Sequence, residues 1–253
     1  MSTTEIDLRM KAQYEDRYRI LLPRRSYTII RVDGRAFHTW TRGLERPYDI
    51  CLMKAMDEVA MALCQECAGA QLAYVQSDEV SVLLTDFAKI DTAAWFDNNM
   101  QKLCSISASL ATAAFNQAVR FLGWDKKPAH FDSRVFQIPD PVEVENYFVA
   151  RQKDAVRNSV SMLAQHYCSH NELHKVPVEQ MHDKIYEHGD NWNNHPVRFK
   201  HGAAVIKVPV PGGPKQTKVG IIDIPPHDDW AVVEPPVFTK EREWLTVKVP
   251  RHQ

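Results

Sequence analysis

Two stretches leave this chain few folds to choose from. Tyr27-Thr28-Ile29-Ile30-Arg31-Val32 runs into Asp33-Gly34-Arg35, and Leu72-Ala73-Tyr74-Val75-Gln76 runs into Ser77-Asp78-Glu79. Each is an apolar run rich in β-branched or aromatic residues that ends in a carboxylate at a turn, which reads as a strand. The carboxylates therefore sit where buried sheet gives way to solvent. Between the two lies a helical pattern from Asp49, its N-cap, to about Ala68, with Gly69 to end it. Met53, Met56, Ala60, Leu63 and Cys67 recur along it at helical spacing. Strand, helix, strand is a crossover unit, which brings two strand ends together in one sheet. Asp33 and Asp78 are then neighbours, with Glu79 beside them.

Carboxylates gathered at one spot repel each other and call for a counter-ion. Mg²⁺ is held by one or two carboxylates and completed by substrate phosphates. That is the layout of two-metal phosphoryl or nucleotidyl transfer. Gly34 lets the backbone approach an ion or a triphosphate closely, and the amides after it can cradle phosphate oxygens. Either Asp alone would read as a strand-end cap. The pair, joined through a helix, carries the chemical reading.

The rest of the chain supplies further elements. Residues 7–22 read as an opening helix with Leu8, Tyr14, Tyr18 and Leu21 as its apolar stripe, ended by Pro23. Thr39 to Tyr48 reads as a loop, and Val80 to Leu84 as the return strand of a hairpin. Residues 91–122 read as one long helix whose middle, Ser105 to Ala114, is small enough to lie close against a sheet. Phe131 to Ile138 is another strand, with Asp132 near its start. Asp140-Pro141-Val142-Glu143 opens a helix with Asp as N-cap, Pro at N1 and Glu at N3. On that helix Arg151, Asp154 and Asn158 share a face, flanked by Gln152 and Arg157. His166, His170 and His174 have a spacing that can bind a transition metal, and read better as a solvated run. Cys64 and Cys67 lack a second pair at zinc spacing. Pro177 to His188 reads as a further helix. Beyond Gly202, prolines alternate with short runs at 204–208, 218–224, 232–233 and 245–249. This predicts a loop-rich β appendage, with Gly212-Gly213-Pro214 as a hairpin turn.

Asp33-Gly34-Arg35-x-Phe37-His38 followed by Gln76-Ser77-Asp78-Glu79 resembles the tRNA-histidine guanylyltransferase superfamily, and within it the guanylyltransferase-like branch. Phe131 to Val135, Arg151 to Asn158 and Asn191-Trp192-Asn193 extend the likeness in order, from about Tyr14 to about Gly202. The resemblance implies an α+β fold. Its core is a ferredoxin-like polymerase palm of mostly antiparallel strands with helices on one face, followed by a helical and β-rich C-terminal region. Residues 1–140 would form the catalytic domain and 141–253 the region contacting RNA and nucleotide.

The resemblance implies a metal-dependent 3′-to-5′ nucleotidyltransferase acting on the 5′ end of tRNA, by template-directed repair or by G addition to tRNA-His. Asp33, Asp78 and Glu79 would be catalytic. The Asp33 and Asp78 carboxylates and the Gly34 carbonyl would hold two Mg²⁺ ions. ATP and GTP, or another nucleoside triphosphate, would be substrates. Ser77, His38 and the backbone of Arg35, Ala36 and Phe37 would hold the triphosphate. Arg46 stands where the family carries a Lys on that triphosphate, a role a guanidinium can keep. Lys102 loosely matches a family lysine directed at substrate phosphates, and Arg157 and Asn158 fall among its RNA and nucleotide contacts. Eukaryotic members have His-Ile-Asn-Asn where this chain has Val156-Arg157-Asn158-Ser159, which fits the branch that favours base-paired 5′ repair. The partners implied are tRNA and a homo-oligomer, a tetramer by the resemblance.

Composition bounds the alternatives. An apolar content of 44% and a charged content of 25% describe an ordinary globular protein, and no apolar run is long enough for a membrane span. An odd set of five cysteines at irregular spacing fits reduced thiols in a cytoplasm. The net charge of −1 gives no global sign of nucleic-acid binding, but Arg9 to Arg46 holds ten Lys or Arg against four acids. A phosphate track could lie there. Two rivals share parts of this pattern: a palm-type nucleotide cyclase, which lacks its Gly-Gly-Asp-Glu-Phe-type signature here, and a catalytically inactive RNA-binding protein.

Overall fold

The computed structural model describes residues 3–217 and 220–252. The chain opens with α1 (Thr3–Met10), continues as a π turn and a 3₁₀ turn to Tyr18, and enters β1 (Tyr27–Gly34). Then come α2 (Phe37–Trp40), α3 (Ile50–Glu66), β2 (Ala70–Gln76), β3 (Glu79–Leu84), α4 (Met100–Phe121) and β4 (Phe131–Ile138). The second half carries α5 (Pro141–Tyr167), α6 (His170–Leu173), α7 (Val178–Glu187), α8 (Val197–His201), β5 (Ala203–Val210), β6 (Gly213–Thr217), β7 (Gly220–Ile224), β8 (His227–Val233) and α9 (Glu243–Lys248).

The central sheet has the order β4-β1-β3-β2-β5-β8, with antiparallel neighbours throughout. Its first four strands reproduce the ferredoxin-like order. The hairpin return β3 slots between β1 and β2, so those two run parallel and finish at the same end of the sheet. This is how α3, 17 residues capped by the Asp49 carboxylate on the Leu52 amide, brings Asp33 toward Asp78.

Helices cover both faces, where the sequence predicted one. Successive strand residues point to opposite faces. In β1, Ile30 and Val32 face the core under α3 and α4, while Tyr27 and Ile29 face a second core under α5 and the C-terminal residues Phe238 and Leu245. Both alternating sets are apolar, so neither face could be left wet. A third cluster joins the far half of α5 to α6, α7 and α8.

Other expectations needed correction. The opening helix starts earlier and frays into a π turn, and its stripe is not packed. Leu8, Tyr14, Tyr18 and Leu21 are 52–73% exposed: the arm touches the rest of the chain through backbone bonds of residues 20–22 to 98–100, and these side chains stay outside the core clusters. The long helix begins at Met100, not at 91. Phe96, Asp97 and Asn98 have positive φ, and the Asn99 side chain then caps the helix on the Lys102 amide. The β appendage is instead part of the main sheet. β5 pairs with β2 and β8 with β5, and residues 243–248 are helical. Gly212-Gly213-Pro214 does not turn a hairpin but leads into one, since Gly213 pairs with Ile224 in the β6–β7 ribbon. The three histidines do not share a helix, because α5 ends at Tyr167 and Ser169 caps a new helix, α6.

Candidate active site

β1 delivers Asp33 to the end of the sheet. Its Cα partners there are Glu79 on β3 and Asp132 on the edge strand β4, so three carboxylates share the α5 face of the sheet. Asp78 sits in the β2–β3 turn, where Ser77 has a left-handed φ of 48°. The Gly34 amide donates to the Asp78 carbonyl at 3.1 Å and locks this turn against the end of β1.

The two aspartates are electrostatically loaded. Burial, and then the Asp33 charge, push the Asp78 carboxyl up to about 6. Burial, and then Asp132, raise Asp33, while Arg134 and Arg31 pull it back. A cation placed between them would favour the ionised form of both. Among the described residues no group of three or more His, Cys, Asp or Glu could hold a metal. Two carboxylates are too few for a closed protein site, and a Mg²⁺ ion placed there would take its remaining oxygens from water, carbonyls and phosphates.

A cleft of about 560 Å³ opens beside the aspartates. Asp33, Gly34, Ser77 and Asp78 form one end. Ala36, Phe37, His38 and the 44–49 loop with Arg46 form a wall, and Asn158, Ser159 and Met162 of α5 face it with Arg198 and Phe199 of α8. Of the predicted residues, Asp33, Gly34, Ala36, Phe37, His38, Arg46, Ser77, Asp78 and Asn158 line this one cavity.

Four others stand elsewhere. Glu79 is held by Arg151 at 3.4 Å, Arg31 at 3.8 Å and the Gln76 amide at 3.1 Å, a network beneath α5. The Arg35 side chain is exposed, while its amide donates to the His130 carbonyl and ties the turn to β4. Arg157 lies on the outer side of α5, paired with Asp154 at 2.5 Å. Lys102 is at the wrong end. α4 starts beside residues 20–22 and only its Phe115 end reaches Phe37 and Phe131, so Lys102 lies over the Phe96 ring, away from the cleft. Gln152, predicted to flank the RNA-facing surface, is buried. It grips the C-terminal segment, donating to the Pro236 carbonyl and accepting from the Phe238 amide.

Gly34 has a second reason to be glycine. A Cβ there would stand 2.2 Å from the Phe37 ring, which packs edge-on against Phe115 and Phe131. The predicted basic track is partly committed to structure. Arg24 pairs with the buried Asp86 at 2.5 Å and also donates to the Thr92 carbonyl. Sequence reasoning missed Arg198 and Tyr48, and gave Arg134 no role of its own within the Phe131–Val135 stretch. No local motif marks the first two, since Arg198 meets its partner Asp57 across 141 residues.

A ferredoxin-like antiparallel sheet with two converging aspartates beside a nucleotide-sized cleft defines a polymerase-type palm. The chain belongs to the tRNA(His) guanylyltransferase family, whose model matches residues 8–139. It is accordingly a nucleotidyltransferase of tRNA processing. A bacterial tRNA(His) guanylyltransferase-like protein solved in complex with ATP is 41% identical and superposes with a TM-score of 0.85, over 97% of this chain and all of that one. Its counterpart in complex with GTP is 39% identical, with a TM-score of 0.78 over 98% of this chain and 100% of that one. Among curated relatives, the tRNA(His) guanylyltransferase of Debaryomyces hansenii is 26% identical over 76% of this chain and 77% of its own length. An uncharacterized protein of Acanthamoeba polyphaga mimivirus is 28% identical over 79% and 76%.

Proposed function

We propose that this chain adds nucleotides in the 3′-to-5′ direction to the 5′ end of tRNA, directed by the opposite strand, with Mg²⁺ as its cofactor. The observation that carries the reading is the convergence of Asp33 and Asp78 at one end of the cleft. Their carboxylates and the Gly34 carbonyl would hold the metal. When bound, it would supply charge neutralisation at the phosphates and acidify the attacking hydroxyl.

The chain's own groups would do the rest. Ser77, His38 and the backbone of 35–37 would hold the triphosphate, and Arg46 would neutralise it from the 44–49 wall. Glu79 does not face the cavity. It would act through Arg31, Arg151 and Gln76 by fixing the floor on which Asp33 and Asp78 stand. ATP would first adenylylate the 5′-monophosphate with loss of pyrophosphate. The 3′-hydroxyl oxygen of the incoming nucleotide would then bond to the 5′ phosphorus, and AMP would leave with the bonding pair. Support for nucleoside triphosphates in this cleft comes from the ATP and GTP complexes of the two structural neighbours.

In this reading residues 1–140 carry the metal site, and 141–253 contribute Asn158 to the cleft and Arg157 to an RNA-facing surface. Arg157 offers a planar fork for phosphate or base edges where the eukaryotic pattern has an apolar residue. The exposed apolar residues of the opening arm support a homo-oligomer, a tetramer by family likeness, in the cytoplasm. Among the described residues no helix is long and apolar enough to cross a membrane.

The test is a competition under limiting enzyme. One RNA is a tRNA lacking its first 5′ nucleotide; the other is a tRNA-His with A73 unpaired. The truncated tRNA should receive the complementary base, whichever that is, and addition should stop once the stem is paired. Preferential untemplated G addition opposite A73 would overturn the templated reading.

A further inference from the structure

Several arginines of this molecule are neutralised where they stand: Arg24 by Asp86, Arg157 by Asp154 and Arg198 by Asp57. One surface is different. It is built from two segments, residues 35–46 with α2 and residues 124–130 ahead of β4. Together they hold five Lys or Arg (Arg35, Arg42, Arg46, Lys126 and Lys127) against two acids, Glu45 and Asp125. Among the described residues none of the five is in an ion pair.

The two segments are stitched into one unit. The Arg35 amide donates to the His130 carbonyl at 2.8 Å, and the Trp40 indole donates to the Lys127 carbonyl at 2.8 Å. Lys126 Nζ donates to the Trp40 and Arg42 carbonyls at 2.9 and 3.0 Å and lies 5.0 Å from the centre of the Trp40 ring. Carbonyls and a ring hold that ammonium without cancelling its charge. Trp40 in turn packs on Phe37, Phe115 and Trp124. Arg35, Arg42, Arg46 and Lys127 stand exposed on this frame.

Register sets where the surface lies. Phe131 pairs with Gly34 and Asp132 with Asp33, so residues 124–130 arrive at the end of the sheet that carries the aspartates. His38 and Arg46 line the cleft, whereas Arg42, Lys126 and Lys127 do not. The positive charge therefore starts at the cleft wall and continues outside it. Like charges gathered on a fixed frame repel one another, and a polyanion laid across them relieves the repulsion.

We propose that this surface is the phosphate track for the acceptor stem, with Arg42 and Lys127 on backbone phosphates next to the RNA 5′ end. The inference rests on the RNA reading given above and adds the face on which the RNA lies. In that reading the 5′ end stops at Asp33 and Asp78, so the phosphates behind it leave the cleft over the adjoining wall. Such contacts set the register of the stem against the reacting end and read no base. Glu45 and Asp125 are outnumbered, and the surface stays net positive.

The experiment uses the full chain and two RNAs: a tRNA lacking its first 5′ nucleotide, and a hairpin carrying only the acceptor stem of that tRNA. Dissociation constants are measured over a salt series. Arg42→Gln and Lys127→Gln should each lower the slope of log affinity against log salt by about 1, and the double variant by about 2, equally for both RNAs. ATP affinity should not change. Arg42→Lys and Lys127→Arg, which keep the charge, should keep the slope. Lys89→Gln, at an exposed position beyond the far end of β3, should behave as wild type. Unchanged slopes in the double variant overturn the inference, as does an equal loss in Lys89→Gln. A loss seen with the tRNA but not with the hairpin overturns it by moving the contact off the acceptor stem. A matching fall in ATP affinity overturns it by making these residues part of the cleft. Binding of neither RNA by the wild type refutes the RNA reading itself, and the inference falls with it.

Discussion

Removing the charge of Asp78 should make the metal-free protein more stable while abolishing transfer. Burial and the Asp33 charge raise the Asp78 carboxyl to about 6, from 3.8. A carboxyl raised on folding favours the folded state while protonated. That contribution is complete below about pH 4, and is lost as pH rises through about 6. The gap between 3.8 and about 6 amounts to about 3 kcal/mol lost by pH 7.5. Asp78→Asn has no charge to lose. In EDTA at pH 7.5 it should therefore exceed the wild type by up to about 3 kcal/mol in urea unfolding, or roughly 6–12 °C in midpoint. At pH 4 the two should unfold alike. Adding Mg²⁺ at pH 7.5 should stabilise the wild type by mass action and leave the variant unmoved. Transfer should fall by orders of magnitude in the variant at every pH. A variant no more stable than wild type at pH 7.5, or one still responsive to Mg²⁺, would refute the argument that this turn is a strained cation site.

Gly34→Ala drives a methyl into the Phe37 ring, so the urea midpoint should drop by an amount equivalent to about 1–3 kcal/mol. An unchanged midpoint would mean that the ring has room to move. Arg24→Glu places a like charge on Asp86, whose side chain is 6% exposed. It should destabilise folding by roughly 3 kcal/mol or more, measured by denaturation at pH 7, and full stability would show the pair to be dispensable. Arg157 is 61% exposed on the outside of α5. If it meets RNA, Arg157→Ala should lower the slope of log affinity against log salt by about 1, with nucleotide affinity unchanged. A slope identical to wild type would take Arg157 off the RNA surface.

The sequence by itself determined the core of the palm. Alternation and β-branched content marked β1, β2, β3 and β4, and the Asp49 and Asp140 caps marked where α3 and α5 begin. These signals are local: they depend on side-chain period and on hydrogen bonds a few residues apart. Crossover geometry then placed Asp33 near Asp78 without any knowledge of loops.

Long-range packing decided the rest. Whether 204–208 and 232–233 form an appendage or edge strands depends on an open β2 edge, which no short window of sequence records. Lys102 was assigned on a loose match to one family lysine, and such a match does not record which end of the sheet the start of α4 faces. The N-terminal stripe read as amphipathic, but an apolar stripe does not say what covers it. Arg198 was invisible because its place comes from Asp57 on α3 and from the sharp turn at Gly202. A strand or a cap is specified by neighbours in sequence. A charged side chain held rigid in a cleft is specified by neighbours in space, and only the folded chain assembles those.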